Sequence, residues 1–248
     1  MPDFAPADLA ELTASHDRLL AALSGPVVFD EQAARAPSGL PGWSRGHLLT
    51  HLARNADGMG NLVDWATSGR PSPMYPSMRV READIEAGAG RPAAELVGDL
   101  ADACRRIQQR LAEVTGPALQ ALVEMGPLRV PTRGADLVSL RVREVEIHHV
   151  DLRLGYRPAQ WSAVFVGRTL DQLVPRFASQ GEVPVQALVA TDTGDRWSFG
   201  ASGRGGGDLA GPAHALLGWL TGRIGPQGAA GAGLSVAGGG VPAAPPWT

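Results

Sequence analysis

Apolar residues recur at helical spacing through most of the first 155 positions. Leu9, Leu12, Leu19, Leu20 and Leu23 mark a helix over 6–24, stopped by Gly25-Pro26. A second starts at Trp43-Ser44, with Ser44 as N-cap, and runs through His47, Leu48, His51, Leu52 and Leu62 to Gly69. The stretch 70–90 carries Pro71, Pro73 and Pro76 and is expected to be a long connection, the kind of segment that serves as a lid. Periodicity returns over 92–115 (Leu96, Leu100, Ile107, Leu111, Val114), with Pro92 in the first turn and Gly116-Pro117 closing the segment. A variable region covers 117–133. A fourth helix follows from Asp136 to Leu154, with Leu137, Leu140, Val145, Ile147 and Val150 toward the core and Gly155 as its C-cap. Four helices and two long connections predict a bundle, a fold whose core builds metal sites from facing side chains.

Beyond Pro158 the pattern changes. A helix over 161–178, an apolar run Val185–Ala190, an alternating Arg196–Phe199, a Gly-rich turn and a helix over 209–222 are predicted, with a third strand at Leu234–Ala237. The fold class is therefore α+β, a helical bundle over 1–156 followed by a small α/β domain over 157–237. Residues 238–248 form a Gly/Pro-rich tail, expected to be extended along a surface or disordered.

Composition narrows the partners. A formal charge of -3 and a pI near 6.1 supply no basic field for nucleic acid or anionic lipid, leaving a small molecule as the default partner. All 22 basic residues are arginine, a usage that reads as GC-rich coding and excludes Schiff-base chemistry by lysine. Cys104 is the single cysteine, so no internal disulfide or thiolate cluster forms and a reducing cytoplasm fits. The start, MPDFAPADLAEL, lacks a basic n-region and an apolar h-region, and no stretch has the roughly 20 apolar residues of a membrane helix. A cytoplasmic protein, monomer or homodimer, is expected.

Four of the six histidines fall on the second and fourth helices. His47 and His51 are four apart on one, Glu144 and His148 four apart on the other, so each pair shares a helical face. A catalytic divalent ion takes about three His or carboxylate ligands and keeps one position open. Asp151, three residues beyond His148, is placed to orient a ligand by a hydrogen bond. On spacing and clustering alone, a metal site and a set of merely packed histidines are equally good readings.

Longer runs of sequence add a resemblance. GWSRGHLLTHLARNADGM (42–59), MYPS (74–77), READIEAGAGRPAAEL (81–96), REVEIHHVDLRLGY (143–156), GPAHALLGWLTGR (211–223) and PPW (245–247) resemble, in that order, the mycothiol-dependent maleylpyruvate isomerases of the DinB-like superfamily. The resemblance spans nearly the whole chain. It implies a helical bundle that binds Zn²⁺, or another divalent metal, through the residues standing here as His51, Glu144 and His148. It leaves His47 as a neighbour of the site or core and His149 as a surface or packing residue. It also implies that Arg223 of the WLTGR segment is catalytic, where the plain alternative is a cation at a helix C-terminus. Asn55, Tyr75 and Arg81 lie in matching segments as further pocket candidates. Trp43, Trp65, Trp219 and Cys104 read most simply as packing residues.

The activity implied is the cis to trans isomerisation of maleylpyruvate to fumarylpyruvate, a step of gentisate degradation, with mycothiol as an external low-molecular-weight thiol. Metal coordination lowers a thiol's pKa, and the thiolate adds reversibly to the activated alkene so that its double bond rotates. Arg223 then holds a carboxylate of an anionic substrate, while Asp151 or Asn55 orients ligands or the thiol. Two other functions share these features: a mycothiol S-transferase acting on another electrophile, and a non-catalytic DinB-like binding protein.

Overall fold

Helix α1 (Pro6–Leu23) buries Leu12 and Leu19 completely, the face its apolar spacing marks. The computed structural model describes residues 6–25, 29–126, 129–204 and 207–246, so Pro26, the N-terminal five residues and Trp247 of the PPW segment lie outside the described residues. A short helix α2 (Glu31–Arg35), capped by Asp30, precedes α3 (Arg45–Ser68). Ser44 caps α3 as expected, accepting from the His47 amide, and Gly69 ends it in the left-handed conformation, φ 70°.

The stretch 70–90 is not one long connection. Only residues up to Ser77 are irregular, and α4 (Met78–Ala89) follows. The prolines stop at Pro76, Ser77 accepts from the Val80 amide, and Ile85 and Ala89 bury against α3. Glycines allow the close approach: a Cβ at Gly46 would run into the Ala89 carbonyl oxygen, and one at Gly88 into the Thr50 methyl. Segment 70–90 is thus largely a packed helix rather than a lid.

Helix α5 (Ala93–Ala112) starts directly after Pro92, which is its N-cap rather than a first-turn residue, and buries Leu96, Leu100, Ile107 and Leu111. The variable region holds a hairpin, β1 (Leu122–Met125) antiparallel to β2 (Val130–Arg133), with Leu122 opposite Arg133. Four-residue strands, one containing Pro131, give too little alternation to be read from sequence. Helix α6 (Leu137–Asp151) ends before Gly155: Leu152 is the C-cap and Arg153, at φ 54°, turns the chain out. Leu137, Leu140, Val145 and Ile147 are buried, while Val150 is only half-buried.

By contacts the chain divides into two compact units, Met1–Leu154 and Gly155–Thr248. In the first, α1, α3, α5 and α6 form the bundle, with α3 packed against α5, α4 and α6. Its centre contains charge as well as hydrocarbon. Glu146, wholly buried on α6, accepts from the Ser15 hydroxyl at 2.5 Å and from Arg18 at 2.6 Å, tying α1 to α6. Arg141, also wholly buried, donates to the Leu52 carbonyl at 3.0 Å and to Asn55 Oδ1 at 2.8 Å on α3.

The second unit packs α7 (Ala163–Gln180) and α8 (Ala213–Leu220) on a sheet of β3 (Ala187–Ala190), β4 (Arg196–Ser198), β5 (Leu209–Gly211) and β6 (Ser235–Val236). The order is β4-β3-β5-β6, with β3 parallel to β5 and the outer pairs antiparallel. The expected helix over 209–222 is instead β5 followed by α8. Pro212 lacks an amide hydrogen and holds Gly211 extended, so the helix begins only after it. A one-turn helix α9 (Pro226–Ala229) precedes β6. The tail returns to the unit, where the indole of buried Trp219 donates to the Pro242 carbonyl at 2.7 Å. No helix among the described residues is long and apolar enough to cross a membrane.

Cutting the buried Glu146 out of its α1 partners should be costly. Glu146→Ala is expected to destabilise the protein by about 1–3 kcal/mol, seen as a lower urea midpoint at unchanged slope; an unshifted midpoint would count against the pair as a bundle tie.

Candidate metal centre

His51 stands in the second turn of α3 and Glu144 and His148 one turn apart on α6. The facing helices bring the three side chains together, with one donor atom from each within 4.8 Å of the others. His51 Nε2 lies 3.3 Å from His148 Nε2 and 3.4 Å from Glu144 Oε2, and His148 Nε2 lies 3.7 Å from the same oxygen. Tetrahedral ligands at the usual Zn–N and Zn–O distances sit about 3.3–3.4 Å apart. The three atoms therefore outline one face of such a polyhedron, and two imidazoles with a carboxylate are a borderline donor set suited to Zn²⁺.

Protonation states favour a cation. Buried Asp151 lies 2.9 Å from His148 Nδ1, so that nitrogen keeps the proton and Nε2 turns its lone pair toward the cluster. Burial holds His51 at about 4, even with Glu144 beside it, so its ring is neutral at pH 7. Burial alone would raise Glu144, but the His51 hydrogen bond and the nearby His148 hold its pKa well below the usual carboxylate range. A neutral ring and an ionised carboxylate are the forms a metal requires.

Residues 9–153 match the family model of the mycothiol maleylpyruvate isomerase N-terminal domain. The chain belongs to this family. As a whole, this member of the mycothiol maleylpyruvate isomerase family is also similar to a solved structure, the "Crystal structure of the mycothiol-dependent maleylpyruvate isomerase". The TM-score is 0.84 at 25% identity, covering 100% of both chains. A histidine-to-alanine mutant of that isomerase matches equally, with TM-score 0.84, 25% identity and 100% coverage of both chains. Among curated proteins, none matches the chain.

The other expected site residues of this maleylpyruvate isomerase family member are placed variously. Asn55, one turn below His51, is buried and engaged with Arg141. His47 points away from the cluster: it sits in the capping box of Ser44, 3.1 Å from Glu86 and stacked with Trp43. His149 is a buried packing residue whose pKa burial lowers to about 4. Burial raises the Cys104 thiol, which is no nucleophile. Arg223 belongs to the second unit, past the left-handed Gly222 that follows α8, and donates to the Thr221 carbonyl at 2.5 Å.

The fold gives weight to three residues: Trp43 and Arg141, which the sequence reading left aside, and Arg81, already a pocket candidate. Trp43 meets His51 edge-on, with ring centroids 5.5 Å apart, and so walls the cluster. Arg81, on α4, places a guanidinium nitrogen 3.1 Å from His51 Nδ1 and lies over the Tyr75 ring at 5.7 Å. Arg141 binds the Leu52 carbonyl and Asn55, the neighbours of His51 on α3. No spacing rule points to these three, although Trp43 and Arg81 lie in segments that carry the resemblance.

Two outcomes follow from the protonation states. Asp151→Asn keeps the shape but removes the charge that fixes the His148 tautomer, and should weaken Zn²⁺ binding about 10-fold or more in competition with a chromogenic chelator. His16, His51 and His149 are held by burial at about 3, 4 and 4, below the 6.5 of the unfolded chain. Between those values the unfolded state binds more protons, so stability is complete above pH 6.5 and lost as pH falls toward 4. On metal-stripped protein the urea midpoint should drop across that window; a flat profile from pH 7 to 4.5 would contradict three neutral buried rings.

Proposed function

We propose that this protein is a metal- and mycothiol-dependent cis-trans isomerase converting maleylpyruvate to fumarylpyruvate. The observation that carries this reading is the cluster of His51, Glu144 and His148, three donor atoms at the spacing of one face of a tetrahedral metal site. Membership of the mycothiol maleylpyruvate isomerase family supports it. The likeness in fold to a mycothiol-dependent maleylpyruvate isomerase supports it as well.

On this reading His51, Glu144 and His148 hold one divalent ion, with Zn²⁺ the best match to the donors. An ion held there would lower the pKa of a thiol and so favour the thiolate, the nucleophile for reversible addition to the alkene. The chain's own residues do the rest. Asp151 keeps the proton of His148 on Nδ1 and its lone pair on the site. Trp43 keeps water from the His51 side. Arg223 serves as the bidentate partner of a substrate carboxylate and steadies negative charge as it develops. With the Cys104 thiol buried and raised in pKa, an external thiol is the remaining source of sulfur.

The test is direct. Zn²⁺-loaded protein is mixed with mycothiol and maleylpyruvate, and loss of the cis substrate is followed by absorbance. Turnover should need both thiol and metal, vanish on chelation and return with Zn²⁺. Arg223→Met should lower kcat/KM by about 100-fold or more. Failure to turn over with the metal bound would sink the isomerase reading, and conjugation of mycothiol to another electrophile would replace it with an S-transferase.

A further inference from the structure

Arg81 has an unusual set of partners for a permanently charged side chain. Among the described residues its contacts are His51 Nδ1 and Tyr75, and it forms no ion pair with a carboxylate. A guanidinium has N–H donors and no acceptor. The contact at 3.1 Å therefore makes His51 Nδ1 the acceptor, and the single proton of the neutral ring sits on Nε2. That is the atom facing His148 and Glu144 at 3.3 and 3.4 Å.

Ligation of a metal through Nε2 needs the opposite arrangement. The proton must move from Nε2 to Nδ1, where it would confront the Arg81 N–H across the same 3.1 Å. The ring stays neutral throughout and no proton is gained or lost. Metal on His51 and Arg81 on His51 thus exclude each other. Close packing of α4 on α3 through Gly46 and Gly88 keeps the displaced guanidinium beside the site.

We propose that Arg81 is a carboxylate-binding residue gated by the metal: loading the ion drives its guanidinium off His51 and frees it for a carboxylate of the substrate. The proposal rests on the isomerase reading in taking that substrate to be a dicarboxylate. A planar, bidentate donor suits a carboxylate, and the cation–π contact with Tyr75 gives the freed side chain a resting surface.

The experiment uses maleate, a cis dicarboxylate, as a probe that needs no turnover. Calorimetry on Zn²⁺-loaded protein should show Arg81→Gln binding maleate at least 10-fold more weakly than wild type, with Arg81→Lys in between. Zn²⁺ affinity of Arg81→Gln should be equal to wild type or tighter, since a competing donor is gone. Long-range ¹H–¹⁵N spectra of the wild type should place the His51 proton on Nε2 without metal and on Nδ1 with it. Maleate binding unchanged by Arg81→Gln, Zn²⁺ affinity weakened by it, or His51 protonated on Nδ1 before loading would each overturn the proposal. A wild-type protein that binds maleate through Arg81 yet leaves maleylpyruvate untouched would refute the isomerase reading and not this one.

Discussion

A buried guanidinium sets the register of the two helices that carry the cluster. Arg141 of α6 has no exposure to solvent and directs its donors onto the Leu52 carbonyl and Asn55 of α3. Desolvating a charge is expensive, so these bonds must all form in one geometry or the charge is left uncompensated. His51 precedes Leu52 by one residue and Glu144 follows Arg141 by three, so the same contact brings imidazole and carboxylate face to face. A slip of one residue along a helix turns its side chains by about 100° and moves them by about 1.5 Å, enough to disperse the ligand face. The sub-4 Å spacings of the cluster therefore depend on a contact one turn beneath it.

Around that register the polar atoms are arranged by elimination of alternatives. Asp151 fixes one tautomer, and burial keeps His51 uncharged beside an ionised Glu144. Trp43 closes one side with an edge of indole. What is left is three donor atoms within 4.8 Å of one another, the spacing that one face of a coordination polyhedron needs. Arg81 touches the other nitrogen of the His51 ring, Nδ1, and so links the ligand set to α4.

The bundle helices were legible because their apolar residues repeat at the helical period and their ends carry local chemistry, as Ser44 and Gly69 do for α3. Segment 70–90 was misread because three prolines dominate its first half while the helix that follows is stabilised by contact with α3 rather than by its own pattern. The hairpin of β1 and β2 was invisible for the same reason: four-residue strands have no statistical signature apart from the partner they pair with. In the second unit, Pro212 cut a predicted helix into a strand and a shorter helix, an effect of one residue on its predecessor's backbone that an apolar count does not register.

The sequence by itself determined which residue types can ligate and at what spacing along each helix, because i and i+4 neighbours share a face whatever surrounds them. It also determined, through long matching runs, the family to which the chain belongs. Only the tertiary structure decided that His51 meets Glu144 and His148 while His47 turns to Glu86, that Asn55 serves Arg141, and that Arg81 reaches His51. Those choices rest on the rotation and offset of α3, α4 and α6 against one another. Packing of glycines and a buried charge sets these quantities, and no local periodicity encodes them.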